Sequence, residues 1–292
     1  MSLQTDFKRK AQVSRRDFLK LLPVAGLGLF FAGYVAHLEP DWVEVTQVVL
    51  KLPRLPKAFS GFRLAQVSDI HLGGWMNLEH LNQVFELVEA QKPDLVALTG
   101  DFVLDPEREP ELNLDLEAYA VSLKWLTERF PTLAVLGNHD YWLDVQAVLG
   151  LLKQGGVRTL VNAVQAVQVG SDLLWFGGVD DVSEHEDDLD QVLAQLPAEG
   201  CAILLAHEPD FADKSAATKR FDLQISGHSH GGQVNLPFLG PPVLPHLARK
   251  YPAGLYRVGE MYQYTNRGVG MTPPYVRLNC RPEITVFTLE SA

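Results

Sequence analysis

The sequence predicts an α/β protein in which short buried strands alternate with amphipathic helices. Three observations carry that expectation. Five short apolar runs recur along the chain at lengths that suit buried strands. Stretches with apolar residues at helical spacing separate the first three runs. Each run leads directly into an Asp, an Asn or a His.

In chain order, Trp42 to Leu52 alternates apolar and polar residues (Val43, Val45, Val48, Leu50), which predicts a strand. Pro53 to Ser60 is a turn-rich connection. Phe62 to Val67 leads into Ser68-Asp69-Ile70-His71. Leu78 to Ala90 sets Leu81, Val84, Phe85 and Val88 at helix spacing. Leu95 to Leu98 leads into Thr99-Gly100-Asp101, and Leu116 to Arg129 reads as a second helix. Leu133 to Leu136 leads into Gly137-Asn138-His139-Asp140. Ala202 to Ala206 leads into His207-Glu208, and Leu223 to Ile225 into Ser226-Gly227-His228-Ser229-His230. Strands joined by helical crossovers present their C-terminal ends on one edge of a sheet, where ligands bind. The five ends therefore deliver Asp, His and Asn side chains to one rim. Glycines beside them (Gly73, Gly100, Gly137, Gly227, Gly231) let the backbone turn sharply. His37, His80, His185 and His246 have no such context and are set aside.

A chain of 292 residues holds one large domain or two small ones. Its 47% apolar and 21% charged residues match a globular protein. The formal net charge is -11, although the first twenty residues carry Lys8, Arg9, Lys10, Arg15, Arg16 and Lys20 against Asp6 and Asp17. The remaining body is more acidic still and lacks the basic footprint that nucleic acid requires, so no nucleic-acid partner is expected. Cys201 and Cys280 are too few for a disulfide framework and read as buried thiols.

Ser14-Arg15-Arg16-Asp17-Phe18-Leu19-Lys20 precedes an uncharged apolar stretch, Leu21 to Ala36. This pattern resembles a twin-arginine export signal. The resemblance implies the twin-arginine export machinery as a partner and an extracytoplasmic location, in the periplasm or on the outer face of the cell membrane. Tyr34 and Ala36 make a poor small-x-small cleavage site. Yet the sixteen residues of the stretch span only ~24 Å of a ~30 Å hydrocarbon core. Removal as a signal and retention of residues 21–36 as a membrane anchor both stay open. The chain thus divides into a signal or anchor (1–36), a first strand and connection (37–60), and the domain bearing the motifs (61–292).

Asp69-x-His71, Gly100-Asp101, Gly137-Asn138-His139-Asp140, His207 and Gly227-His228-Ser229-His230 resemble the calcineurin-like metallophosphoesterase signature. The strings 137–142, 206–210 and 227–233 are most similar to the YkuE/YaeI-type branch of that family. The resemblance implies a four-layer αββα sandwich of two mixed β-sheets flanked by helices. It implies one divalent ion on Asp69, His71, Asp101 and His230, and a second on Asp101, Asn138, His207 and His228, with Asp101 bridging. It further implies that His139 faces the leaving oxygen and donates a proton or stabilises charge there. Two divalent ions against two carboxylates leave roughly two positive charges, which favours a bridging hydroxide together with a phosphate oxyanion. Four imidazoles favour Mn, Fe or Zn over Ca or Mg.

The expected activity is hydrolysis of phosphodiester or pyrophosphate bonds in a small-molecule or lipid substrate, including cell-envelope components. Asp101, Asn138 and His139 are the expected catalytic residues. A phosphomonoesterase is the second reading, since the same ion pair serves both. A non-catalytic binding scaffold is the third, and the full ligand set argues against it. Relatives that split the pyrophosphate of a UDP-acylglucosamine lipid precursor meet it on the cytoplasmic side, so an exported domain implies another substrate. Asp180 to Asp190 reads as a solvated loop entering a helix N-terminus rather than as a cation site. Leu236 to Ala248 is either a lip beside the site or a loop packed on the second sheet, and Tyr141 and Trp142 either line that side or pack.

Overall fold

Strands with apolar residues on both faces need a cover on each side. The computed structural model, which describes residues 23, 26–104 and 114–292, provides it with two six-stranded mixed sheets. Arg15, Arg16 and the rest of the export motif lie outside the described residues. The first sheet holds β1 (Glu44–Leu52), β2 (Phe62–Val67), β3 (Leu95–Thr99), β4 (Thr132–Val135), β5 (Arg158–Thr159) and β12 (Glu283–Ser291). Their order is β1-β12-β2-β3-β4-β5. The second holds β6 (Ala163–Val169), β7 (Asp172–Gly178), β8 (Ala202–Leu205), β9 (Leu223–Ser226), β10 (Gly254–Val258) and β11 (Met261–Thr265), in the order β10-β11-β9-β8-β7-β6. Strands β2 to β5 run parallel to one another, as do β7, β8, β9 and β11.

Side-chain alternation assigns the layers. Leu64, Ala97, Leu133 and Val135 turn toward the other sheet and meet Phe176, Ile203, Leu205 and Ile225 in the central core. The intervening Ala65, Val67, Val96, Leu98 and Ala134 face outward. They are covered by α1 (Leu78–Ala90), α2 (Leu116–Thr127) and α3 (Asn138–Gln154). On the far side Ala202, Leu204 and Ala206 lie under α4 (Leu189–Gln195) and α5 (Ala212–Ala217). The result is the four-layer αββα sandwich.

The helix α1 starts where Asn77 accepts from the His80 amide and buries Leu81, Val84, Phe85 and Val88. The helix α2 stops short of Arg129, because Arg129 and Phe130 both turn back to the Leu126 carbonyl. Strands β6, β7, β10, β11 and β12 are elements the sequence analysis does not assign. One buried polar side chain fastens the two sheets under the rim. Gln66 Nε2 donates to Thr99 Oγ1 (3.0 Å) and to the Ser226 carbonyl (2.9 Å), joining β2 and β3 to β9.

Candidate metal centre

Strands β2, β3 and β4 are neighbours in one sheet, and β8 and β9 are neighbours in the other. The loops after all five meet across the seam. Asp69, His71, Asp101 and His230 each bring a ligand atom within 4.8 Å of the others, and so do Asp101, His207 and His228. All are buried. In the first group His71 Nε2 lies 3.0 Å from His230 Nε2 and 3.4 Å from Asp101 Oδ2, and His230 Nε2 lies 3.4 Å from Asp69 Oδ1. In the second, His207 Nε2 lies 3.2 Å from Asp101 Oδ2 and 3.2 Å from His228 Nδ1. Donors bound at about 2.0–2.1 Å to one ion stand about 3.0–3.4 Å apart, so both groups fit a divalent ion. Asp101 Oδ2 belongs to both groups, as a bridging ligand must. Asn138, the first residue of α3, lines the same cavity, and its buried Oδ1 has no hydrogen-bond partner among the described residues. A cation would satisfy it.

The surrounding backbone sets the state of each ligand. His207 Nδ1 is 2.7 Å from the Thr99 carbonyl, so Nδ1 carries the hydrogen and Nε2 offers its lone pair inward. His228 is held the other way round, with Nε2 donating to the His246 carbonyl (2.8 Å) and Nδ1 facing the site. Asp69 accepts from the His228 amide (2.9 Å), and Asp101 Oδ1 accepts from the His139 amide (3.0 Å). The Asp140 carboxylate clamps two ligand loops together, accepting from the amides of Asp101 (3.1 Å), Phe102 (2.8 Å) and Gly137 (2.9 Å).

Backbone conformation adds a second constraint. Asp69, His71, Asp101, His228 and His230 all adopt left-handed φ values, between 48° and 66°. Non-glycine residues take this region rarely, and Asp and His more readily than most. Strain of this kind concentrates at functional sites. Gly100 is required outright: its φ is +90°, and a Cβ there would stand 2.5 Å from His207 Nδ1.

Burial, with the neighbouring Asp101 adding to it, pushes the Asp69 carboxyl up to about 7. Burial acts on Asp101 as well, but the His207 and His139 imidazoles outweigh it and hold Asp101 well below the usual carboxylate range. Against burial, Asp101 in turn holds His207 well above the usual imidazole value. Burial and then the His139 ring lower His71 to about 3. Burial and then His71 hold His230 well below its ordinary value, and burial and then His207 lower His228. These fields favour a His207–Asp101 ion pair and keep the other three imidazoles neutral, the form that binds cations. To hold an ion, His207 would give up the proton on Nε2 and offer that lone pair.

His139 sits between the site and the cavity wall. Its ring meets His71 edge-on (centroids 4.6 Å apart) and tilts against Trp142 (4.5 Å). Trp142 lines the cavity and donates to Glu184 Oε1 (2.8 Å), whereas Tyr141 packs away and donates to Asp180 Oδ2 (2.7 Å). The cavity measures about 920 Å³. Pro242, Val243, Pro245 and His246 form one wall, so part of Leu236 to Ala248 is a lip beside the site.

Two sequence expectations need correction. Asp188 does cap α4, and His185, Glu186, Asp188 and Asp190 are exposed as a solvated loop requires, but the loop's start is not: Asp180 and Asp181 are buried. Asp180 Oδ1, Asp181 Oδ1 and both Glu208 oxygens accept from turn amides at Asp181, Val182, Ser183 and Glu184. His246, set aside in the sequence, supplies the carbonyl that orients His228. Asp140, quoted in a motif without a role, is the clamp.

Comparison with known proteins follows the same lines. The family model described as calcineurin-like phosphoesterase matches residues 62–232. An uncharacterized metallophosphoesterase, YkuE, from Bacillus subtilis is 36% identical over 287 residues, covering 96% of this chain and 99% of that protein. The phosphodiesterase YaeI of Escherichia coli is 32% identical over 288 residues, covering 95% and 99%. An uncharacterized metallophosphoesterase of Aquifex aeolicus is 31% identical over 267 residues, covering 88% and 96%.

Proposed function

Because the chain belongs to the calcineurin-like phosphoesterase family and is a metal-dependent phosphoric ester hydrolase, we propose that it is a phosphodiesterase acting on diester or pyrophosphate bonds with an apolar arm, such as those of lipid or envelope components. The cavity carries this reading. Beyond the ligand residues Leu104, Trp142, Val234, Val243 and four prolines give its walls an apolar part beside the polar Ser183, Glu184, Gln233 and Thr272, and no Lys or Arg is among the described residues that line it. A terminal phosphate dianion calls for cations of the protein's own, whereas a diester monoanion needs only the ions beneath it. The relative YaeI is named a phosphodiesterase.

In this reading Asp69, His71, Asp101 and His230 hold one ion, and Asp101, Asn138, His207 and His228 hold the other, with Mn, Fe or Zn suited to the imidazoles. When bound, such ions withdraw charge from phosphorus and acidify water. The chain supplies the rest. Asp101 and Asn138 fix the seam between the two groups. His139, wedged between His71 and Trp142, delivers a proton to the leaving oxygen. Residues 1–36 act as export signal or anchor, and the domain works outside the cytoplasm. The sequence pattern around Arg15 and Arg16 supports this, and a reporter fused after residue 292 that stays cytoplasmic would overturn it.

The deciding experiment incubates the purified chain with Mn and compares a bis-aryl phosphodiester with an aryl phosphomonoester, using Asp101→Ala as control. Faster diester turnover, abolished in the control, is expected. Faster monoester turnover replaces the reading with a phosphomonoesterase. A protein that takes up no metal and turns over neither substrate is a binding scaffold.

A further inference from the structure

Two exposed apolar elements flank the mouth of the cavity. The first is a hairpin. Leu236 and Gly240 exchange backbone hydrogen bonds (3.1 and 2.9 Å), which throws the intervening residues outward. Phe238 is 107% and Leu239 83% exposed. Phe238 takes a left-handed backbone (φ 67°), a conformation that bulky residues seldom adopt. Residues on either side of the hairpin, Val234 and Val243, line the cavity.

The second element is the helical stretch 26–38. Leu27, Leu29, Phe30, Phe31 and Leu38 are each at least 51% exposed. It is tethered beside the same cavity. The Arg277 amide donates to the Val35 carbonyl (2.9 Å), and Glu39 Oε1 accepts from the Cys280 amide (2.6 Å). Thr272 and Pro274, a few residues earlier in that loop, line the cavity.

Three observations identify the occupant of this face. A helix apolar on all sides is matched by hydrocarbon, not by water. Among the described residues no helix is long and apolar enough to cross a membrane, and this one leaves its apolar side chains exposed. The sequence before the helix carries six cations against two anions, which anionic headgroups attract. A second copy of this chain, with net charge -11, is a poor partner by comparison.

We infer that the Phe238–Leu239 hairpin and the 26–38 helix dock together on a lipid bilayer and hold the cavity mouth against it, so that a membrane-resident phosphodiester enters from the lipid side. The inference rests on the phosphodiesterase reading for its substrate and on the exposed surface alone for its docking. Neither hairpin residue touches the ion site.

The test uses the full chain with vesicles of phosphatidylcholine, with and without phosphatidylglycerol, and reads sedimentation together with turnover of a soluble bis-aryl phosphodiester. The expected result is vesicle binding that strengthens with phosphatidylglycerol. Phe238→Ser/Leu239→Ser weakens it about tenfold or more and leaves soluble turnover unchanged. Leu27→Ser/Phe30→Ser weakens it similarly. Binding that neither pair of substitutions alters overturns the inference. So does a dimer, seen by light scattering, that the hairpin substitutions dissociate, since the face would then belong to a second copy. Vesicle binding without any diester turnover leaves the docking intact and removes the phosphodiesterase reading beneath it.

Discussion

Replacing Gly100 by alanine separates two constraints that coincide at the metal centre. Gly100 has φ +90°, where an L-residue costs about 1–2 kcal/mol. Its new Cβ would also stand 2.5 Å from His207 Nδ1, 2.8 Å from the Gly137 nitrogen and 2.9 Å from the Leu136 carbonyl carbon. The latter two are backbone and cannot rotate away, so His207 must move. That breaks its hydrogen bond to the Thr99 carbonyl, which contributes about 1 kcal/mol. The expected loss of stability is about 2–3 kcal/mol. Ion affinity should fall about 10–100-fold, the usual effect of disturbing the partner that orients a ligand. Gly61 provides the control. Its φ is +91°, but a Cβ there meets nothing within 4 Å. Gly61→Ala should cost about 1–2 kcal/mol and leave ion affinity untouched. Urea unfolding of chelator-stripped protein and competition for Mn against a fluorescent chelator give both numbers. If Gly100→Ala is no more destabilised than Gly61→Ala and binds ions as the parent does, then His207 is not locked by this contact and the reasoning fails.

His139→Ala should retain both ions and lose turnover by about 10²–10⁴-fold on a substrate with an alkoxide leaving group; unchanged turnover on that substrate would remove the proton-donor role. Asp140→Asn presents an amide hydrogen to one of three backbone donors and should loosen the clamp, weakening ion binding by about 10–100-fold; parental affinity in chelator competition would show that the clamp is dispensable. Burial and then the Glu208 carboxylate push Asp181 up to about 9. Because the folded value is raised, its contribution to stability is complete below about pH 4 and is lost as pH rises through about 9. Asp181→Asn should abolish that decline and add up to about 4 kcal/mol at neutral pH. Urea midpoints measured across that range check it, and parallel pH profiles for the two proteins would contradict it.

What the sequence made legible has a physical boundary. The ligand residues could be read because they are side chains placed at strand ends, and a strand announces itself by its apolar run. Phe62–Val67 and Leu78–Ala90 form the elements expected of them to the residue. The groups that orient the ligands could not be read. Two of them are the carbonyls of Thr99 and His246, and every residue has a carbonyl. The burial of Asp181 was hidden for a related reason: the amides that hold the Asp180–Glu184 turn exist only once the turn has formed. Strand β10 alternates half-exposed and exposed residues at the sheet edge, and neither it nor the buried β11 beside it ends in a motif, so nothing in their pattern separated them from loop.

The place of β12 bears on how the protein is made. This strand lies inside the first sheet, paired with β1 along nine residues and with β2 along five. A nascent chain whose residues 283–291 are still within the ribosome therefore has β1 without its neighbour and β2 with an open edge. The segment behind Asp69 is equally unfinished, because Gly268 is held by the Glu283 amide and Gly270 by the Asp69 carbonyl. Assembly of the ion site thus waits for β12 to emerge, and until then β2 has an open edge that a chaperone can cover.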